Sequence, residues 1–222
     1  MHITGTMGDF TYVKRGNSYY IRRKRGTVTK ASINESLQNF AKRNKLVNRT
    51  AVPVNDILKE YAGHFREGTF WQRLLSRLKK CKDDNLETHL QSLGKLELNE
   101  LHAMSKHVSM APYSIAVHKD RFTVKLKFQT HAQFRGEKNN CYYYEFIVLF
   151  WDTQAEITTH NSISTHWVYT KTPVPDYEIN FKRTARDKYY LLALKLRGGQ
   201  DGKTENMMRE RAMMILGGGK LE

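Results

Sequence analysis

The chain has 222 residues, 40% of them hydrophobic and 27% charged, with a formal net charge of +15. That balance belongs to a folded globular protein and excludes a disordered polyelectrolyte. Two cysteines, Cys81 and Cys141, exclude a disulfide framework and a four-cysteine zinc site, and the longest strongly apolar run, Phe146 to Trp151, is too short for a membrane-spanning helix.

The positive charge is concentrated at the amino-terminal end. Residues 1–82 hold 18 Lys/Arg against 5 Asp/Glu, whereas residues 83–222 hold 19 against 17. Such asymmetry points to a polyanionic partner for the basic part. Met1 to Gly8 lacks a charged segment followed by a long apolar run, so no secretory signal is expected and a cytoplasmic location is.

The first element is a basic β-hairpin. Phe10, Tyr12 and Tyr19-Tyr20-Ile21 flank Lys14-Arg15-Gly16-Asn17-Ser18, and Gly16-Asn17 tolerates the positive φ of a tight turn. The second strand runs into Arg22-Arg23-Lys24-Arg25. Alternation sets Tyr20, Arg22 and Lys24 on one face and Tyr19, Ile21 and Arg23 on the other.

A helical region is expected from Ser32 to Leu101. Ser32 with Glu35 forms a capping-box pattern, and Ile33, Leu37, Phe40 and Val47 follow at helical spacing. Pro53 predicts a break near Asn48-Arg49-Thr50, with a second helix through Val54, Ile57, Leu58, Tyr61 and Phe65. After Gly68 a third helix buries Trp71, Leu74, Leu75 and Leu78. Its other side carries Arg73, Arg77 and Lys80. Weaker helical turns are expected at 86–93 and 98–107.

From Tyr113 the period changes from near 3.6 to 2. Strands are predicted at 113–118, 122–129, 141–151, 166–170, 178–181, 189–196 and 212–216. The 141–151 strand is apolar on both faces except at Glu145, as a central strand would be. Leu196-Arg197-Gly198-Gly199 reads as the start of a loop, and Gly217-Gly218-Gly219 as a flexible tail. Seven short strands in roughly 110 residues predict an antiparallel sandwich. The expected fold class is therefore α+β: a basic β-hairpin and helices over 1–108, then an antiparallel β-sandwich, Ig-like or similar, over 109–222.

No HExxH, CxxC, GxSxG, P-loop or GxGxxG pattern occurs. Nine histidines are scattered, and His102 and His107 do not share a helical face with Glu100. Cys141 carries no local nucleophile signature. The sequence points to no catalytic residue, no metal site and no cofactor.

The positions Gly5, Gly8, Tyr12, Gly16, Tyr20 and Arg22, followed by Phe40, Ala41 and Lys45, carry a resemblance. Their layout resembles protein families of Bacteroidota genomes with no established activity. Those families begin with a glycine-marked hairpin and continue through a basic segment and a helical stretch to a β-rich carboxy-terminal half. The resemblance implies a non-enzymatic protein, of mobile-element or phage-like kind.

Two functions are expected from different classes. In the first, Lys14, Arg15, Arg22, Arg23, Lys24 and Arg25, helped by Arg73, Arg77 and Lys80, grip the phosphates of a nucleic acid or another polyanion. Tyr12, Tyr19 and Tyr20 would stack on unpaired bases. In the second, the hairpin joins a neighbouring subunit of an assembly through its exposed edge.

Overall fold

In the computed structural model, which describes residues 5–16, 18–23, 35–65, 67–134, 139–204 and 207–221, the chain divides into two units, 1–42 and 43–222. The smaller contains an antiparallel meander of β1 (Gly5–Met7), β2 (Phe10–Arg15) and β3 (Ser18–Arg23). Gly8 (φ 58°) and Gly16 (φ 63°) supply the left-handed backbone that its two tight turns require. The expected hairpin is thus present, with a third strand before it. Asn17, Lys24, Arg25, Ser32 and Ile33 lie outside the described residues.

Helix α1 (Glu35–Ala62) crosses from one unit into the other. From Arg43 onward it buries Val47, Thr50, Ala51, Val54, Leu58 and Ala62, one stripe at helical spacing on both sides of Pro53. The break expected near 48–50 is therefore corrected to a single helix. An interior proline costs roughly 3 kcal/mol. Fully burying Val54 and Leu58, which straddle the same stripe, is worth roughly 1.5–3 kcal/mol each. Burial outweighs local propensity here. Leu37 and Phe40, expected on the buried face, are exposed instead.

Helix α2 (Phe70–Lys79) buries Phe70, Leu74 and Leu78, with Trp71 and Leu75 half-buried beside them. Helix α3 (Leu86–Ser92) is capped by Asn85, whose side-chain Oδ1 accepts from the amide of Thr88 at 2.9 Å. A short strand, β4 (Leu96–Glu97), follows. Beyond it the expected helical stretch is reduced to one 3-10 turn, Met104–Lys106.

The remaining strands are β5 (Ser114–Val117), β6 (Arg121–Lys127), β7 (Cys141–Trp151), β8 (Ile157–Ser164), β9 (Val168–Tyr169), β10 (Asp176–Lys182), β11 (Tyr189–Gln200), β12 (Lys203–Thr204) and β13 (Arg211–Lys220). Two antiparallel sheets result. The larger runs β4-β13-β11-β7-β8, with β12 beside β11 and β9 beside β7; the smaller runs β10-β6-β5.

Strand alternation sorts the core into two layers. Tyr144, Phe146 and Val148 of β7 with Leu192, Leu194 and Met214 pack toward Phe122, Val124, Leu126 and Phe181 of the smaller sheet. Ile147, Leu149, Trp151, Leu191, Ala193 and Ile215, on the other face, pack toward α1, α2 and α3. Central strand β7 is therefore buried on both sides, as its composition predicts. The expected Ig-like sandwich from residue 109 takes a coarser form, a β-rich carboxy-terminal half of two antiparallel sheets. The helices cover the outer face of the larger sheet, and β4 pairs with β13 inside it, so residues 43–222 share one fold.

Two glycine runs are corrected as well. Gly217, Gly218 and Gly219 continue β13, and Gly198-Gly199 continue β11. At Gly199 the Trp167 ring lies 2.7 Å from where a Cβ would stand. Glycine here marks close approach within a sheet, not a loop.

Candidate polyanion-binding surface

The register of the small meander fixes which side chains share a face. Phe10 opposes Arg23, Tyr12 opposes Ile21 and Lys14 opposes Tyr19, with Met7 opposite Phe10 on the same side. Thr11 opposes Arg22, Val13 opposes Tyr20 and Arg15 opposes Ser18 on the other. Each face thus holds two described cations: Lys14 and Arg23 on one, Arg15 and Arg22 on the other. At about 3.3 Å per residue, the two cations of a face stand roughly 13 Å apart along the strands.

No described strand residue of this sheet is buried. Tyr19 is 49% and Tyr20 54% exposed. Lys14 Nζ lies 5.7 Å from the centroid of Tyr19, within cation–π range. Tyr12 is half-buried and shares its face with Tyr19, while Tyr20 points the opposite way. The three tyrosines therefore form no common platform. Lys14, Arg15, Arg22 and Arg23 are all exposed, and among the described residues none of them makes an ion pair. Asp9 is the sole carboxylate of residues 1–34.

The arginines of α2, in the larger unit, make backbone contacts of their own. Arg73 donates from Nη1 to the Glu97 carbonyl at 2.8 Å and from Nη2 to the Leu98 carbonyl at 3.4 Å. It also pairs with Glu67 and Glu100, each at 3.2 Å. The Glu100 amide, hydrogen-bonded to the Glu67 carboxylate, holds that carboxyl below its usual pKa. Arg77 donates to the carbonyls of Ser92 at 3.3 Å and Gly94 at 2.9 Å. These two cations donate to carbonyls at the end of α3 and along β4, of which that of Leu98 also accepts from the Glu67 amide at 3.2 Å. Arg77 and Lys80 are exposed, Lys80 at the carboxy-terminal cap of α2.

Sequence reasoning missed a second polar constellation, in a hollow of about 530 Å³ lined by Arg49, Thr50, Asp84, His89 and Tyr189 among others. His89 is buried, and its Nδ1 lies 3.2 Å from Thr50 Oγ1. Its Nε2 stands 3.8 Å from Asp84 Oδ1, beyond hydrogen-bond length. Burial lowers the imidazole pKa, with the Asp84 carboxylate pulling the other way. Asp84 also faces Arg43 Nε at 3.5 Å. Thr50, 3% exposed on α1, presents no open nucleophile. The ring ties α1 to α3. No local sequence signal could have joined residues 39 positions apart.

Glu97 is the other perturbed group. Burial pushes its carboxyl up to about 7, against hydrogen bonds from the amides of Met104 and Ser105 that favour the ionised form. The Met104 amide lies 3.0 Å from Oε1. In comparison with known proteins, the chain matches no protein-family model and no curated protein.

Proposed function

We propose that residues 1–42 are a polyanion-binding module whose ligand is the phosphate backbone of a nucleic acid, carried on the larger α+β unit. The observation that carries this reading is the set of exposed cations Lys14, Arg15, Arg22 and Arg23 on both faces of the small sheet, none in an ion pair among the described residues. Residues 1–42 hold eight Lys/Arg against two Asp/Glu, and Lys24 and Arg25 continue the run in sequence. Phosphate binding needs several cations within reach of successive phosphates, and counterion release then supplies affinity independent of sequence. Tyr19 and Tyr20, on opposite faces, favour stacking on single-stranded bases one face at a time. In this reading the two sheets of the larger unit form a sandwich-like scaffold that takes no part in gripping phosphate.

The second reading, assembly through the hairpin, draws on the open edges of β1 and β3. Arg22 and Arg23 on β3 weigh against it, because like charges on an edge oppose pairing with another copy. The deciding experiment is fluorescence anisotropy of a labelled single-stranded oligonucleotide with the full chain and its Arg22→Gln/Arg23→Gln variant. Affinity that falls in the variant supports the module, and equal affinity removes it.

A further inference from the structure

We infer that a second copy of this chain pairs antiparallel with β8, the open edge of the larger sheet, so that two sheets join across a twofold axis. Strand β8 is bonded to β7 alone. Among the described residues, no hydrogen bond reaches the backbone of 157–164 from outside that ladder. Half of its N–H and C=O groups therefore point outward along eight residues, roughly 26 Å of strand.

The other edges of the larger unit are guarded. Strand β4 is two residues long. Strand β10 follows Pro173 and Pro175 and carries Asp176, Glu178 and Lys182. Strand β5 is four residues long and begins just after Pro112. Short length, proline and charge are the devices that keep edges from pairing. Strand β8, Ile157-Thr158-Thr159-His160-Asn161-Ser162-Ile163-Ser164, has none of them.

Charge selects the occupant. The net +15 lies mostly in residues 1–82 and opposes self-association wherever that basic part would face its copy. Strand β8 holds no Lys, Arg, Asp or Glu, so two copies can approach there without like charges facing each other. Antiparallel pairing lays the start of one strand beside the end of the other. Exposed Glu156, just before β8, then comes close to the second copy's exposed His166, just after β8. The Tyr61 hydroxyl, 3.2 Å from His160 Nδ1, secures the strand to α1 from its own side.

Sedimentation velocity of the full chain, free of nucleic acid, over a concentration series at low and high salt tests the pairing. The wild type should form a dimer that strengthens with salt, as screening relieves the repulsion of net charge. That trend is opposite to the one expected of phosphate binding. Asn161→Lys/Ser164→Lys, both at exposed positions, should weaken dimerisation roughly a hundredfold by facing like charges across the seam, with the thermal midpoint unchanged. Mixing Asn161→Lys with Asn161→Glu should restore a mixed dimer. A wild-type monomer at every concentration and salt, or a dimer indifferent to the lysine substitutions, overturns the inference.

Discussion

The Tyr113 hydroxyl occupies the space in which a side chain on Gly217 would begin. Tyr113 precedes β5 and Gly217 lies in β13, so a residue beside one sheet fixes the composition of the other. Gly217→Ala should destabilise the protein by about 1–3 kcal/mol, the range for an overfilled core site. Thermal melts followed by circular dichroism would show it. Adding Tyr113→Phe removes the clashing oxygen and should recover part of the loss, a coupling expected only of residues in contact.

The arginines of α2 and those of the small sheet should respond in opposite ways. Arg77→Ala removes the exposed hydrogen bonds to the carbonyls of Ser92 and Gly94 and should cost about 0.5–1.5 kcal/mol of stability. Its oligonucleotide affinity should remain that of the wild type. Arg22→Ala should leave the thermal midpoint in place and lower affinity. Paired chemical denaturation and anisotropy titrations on both variants separate the two roles.

Glu97 should make stability pH-dependent. Its folded pKa of about 7 lies above the ordinary 4.5, so the fold prefers the protonated carboxyl. The contribution is full below about pH 4.5 and is lost as pH rises through about 7. Glu97→Gln mimics the protonated form and keeps an oxygen for the Met104 amide. It should flatten the stability profile in that window and raise stability above it by at most ~3 kcal/mol. Urea denaturation of wild type and variant at several pH values is the measurement.

Pro53 sits within α1 between buried Ala51 and Val54. Pro53→Ala restores the missing amide donor and should stabilise the protein by about 1–3 kcal/mol, less whatever conformational freedom the unfolded chain regains. A lower thermal midpoint would mean that the proline is needed to shape the helix.

Periodicity made the strands with strong patterns legible. Phe122 to Lys127 alternates cleanly, and Cys141 to Trp151 is apolar on both faces; both appear where expected. Strand β8 was hidden because Ile157 to Ser164 is almost wholly polar, and its place comes from the ladder to β7, not from its own propensity. The Gly217-Gly218-Gly219 strand was hidden for a related reason. The local signal of glycine is flexibility, and only the position of Tyr113 and of Leu90 shows that close approach is what it permits. For the site, the tight turn at Gly16 and the alternation of β3 were readable. The backbone contacts of Arg73 and Arg77 were not, because their acceptors are carbonyls 15 to 25 residues away, brought near by the fold.

The most direct test of the central claim is the salt dependence of full-chain binding to a labelled single-stranded oligonucleotide, run beside Arg22→Gln/Arg23→Gln. The account predicts a linear fall of log affinity with log salt, and a slope smaller by about 1.4 in the variant, roughly 0.7 per cation removed. An unchanged slope, or no binding even at low salt, would contradict it.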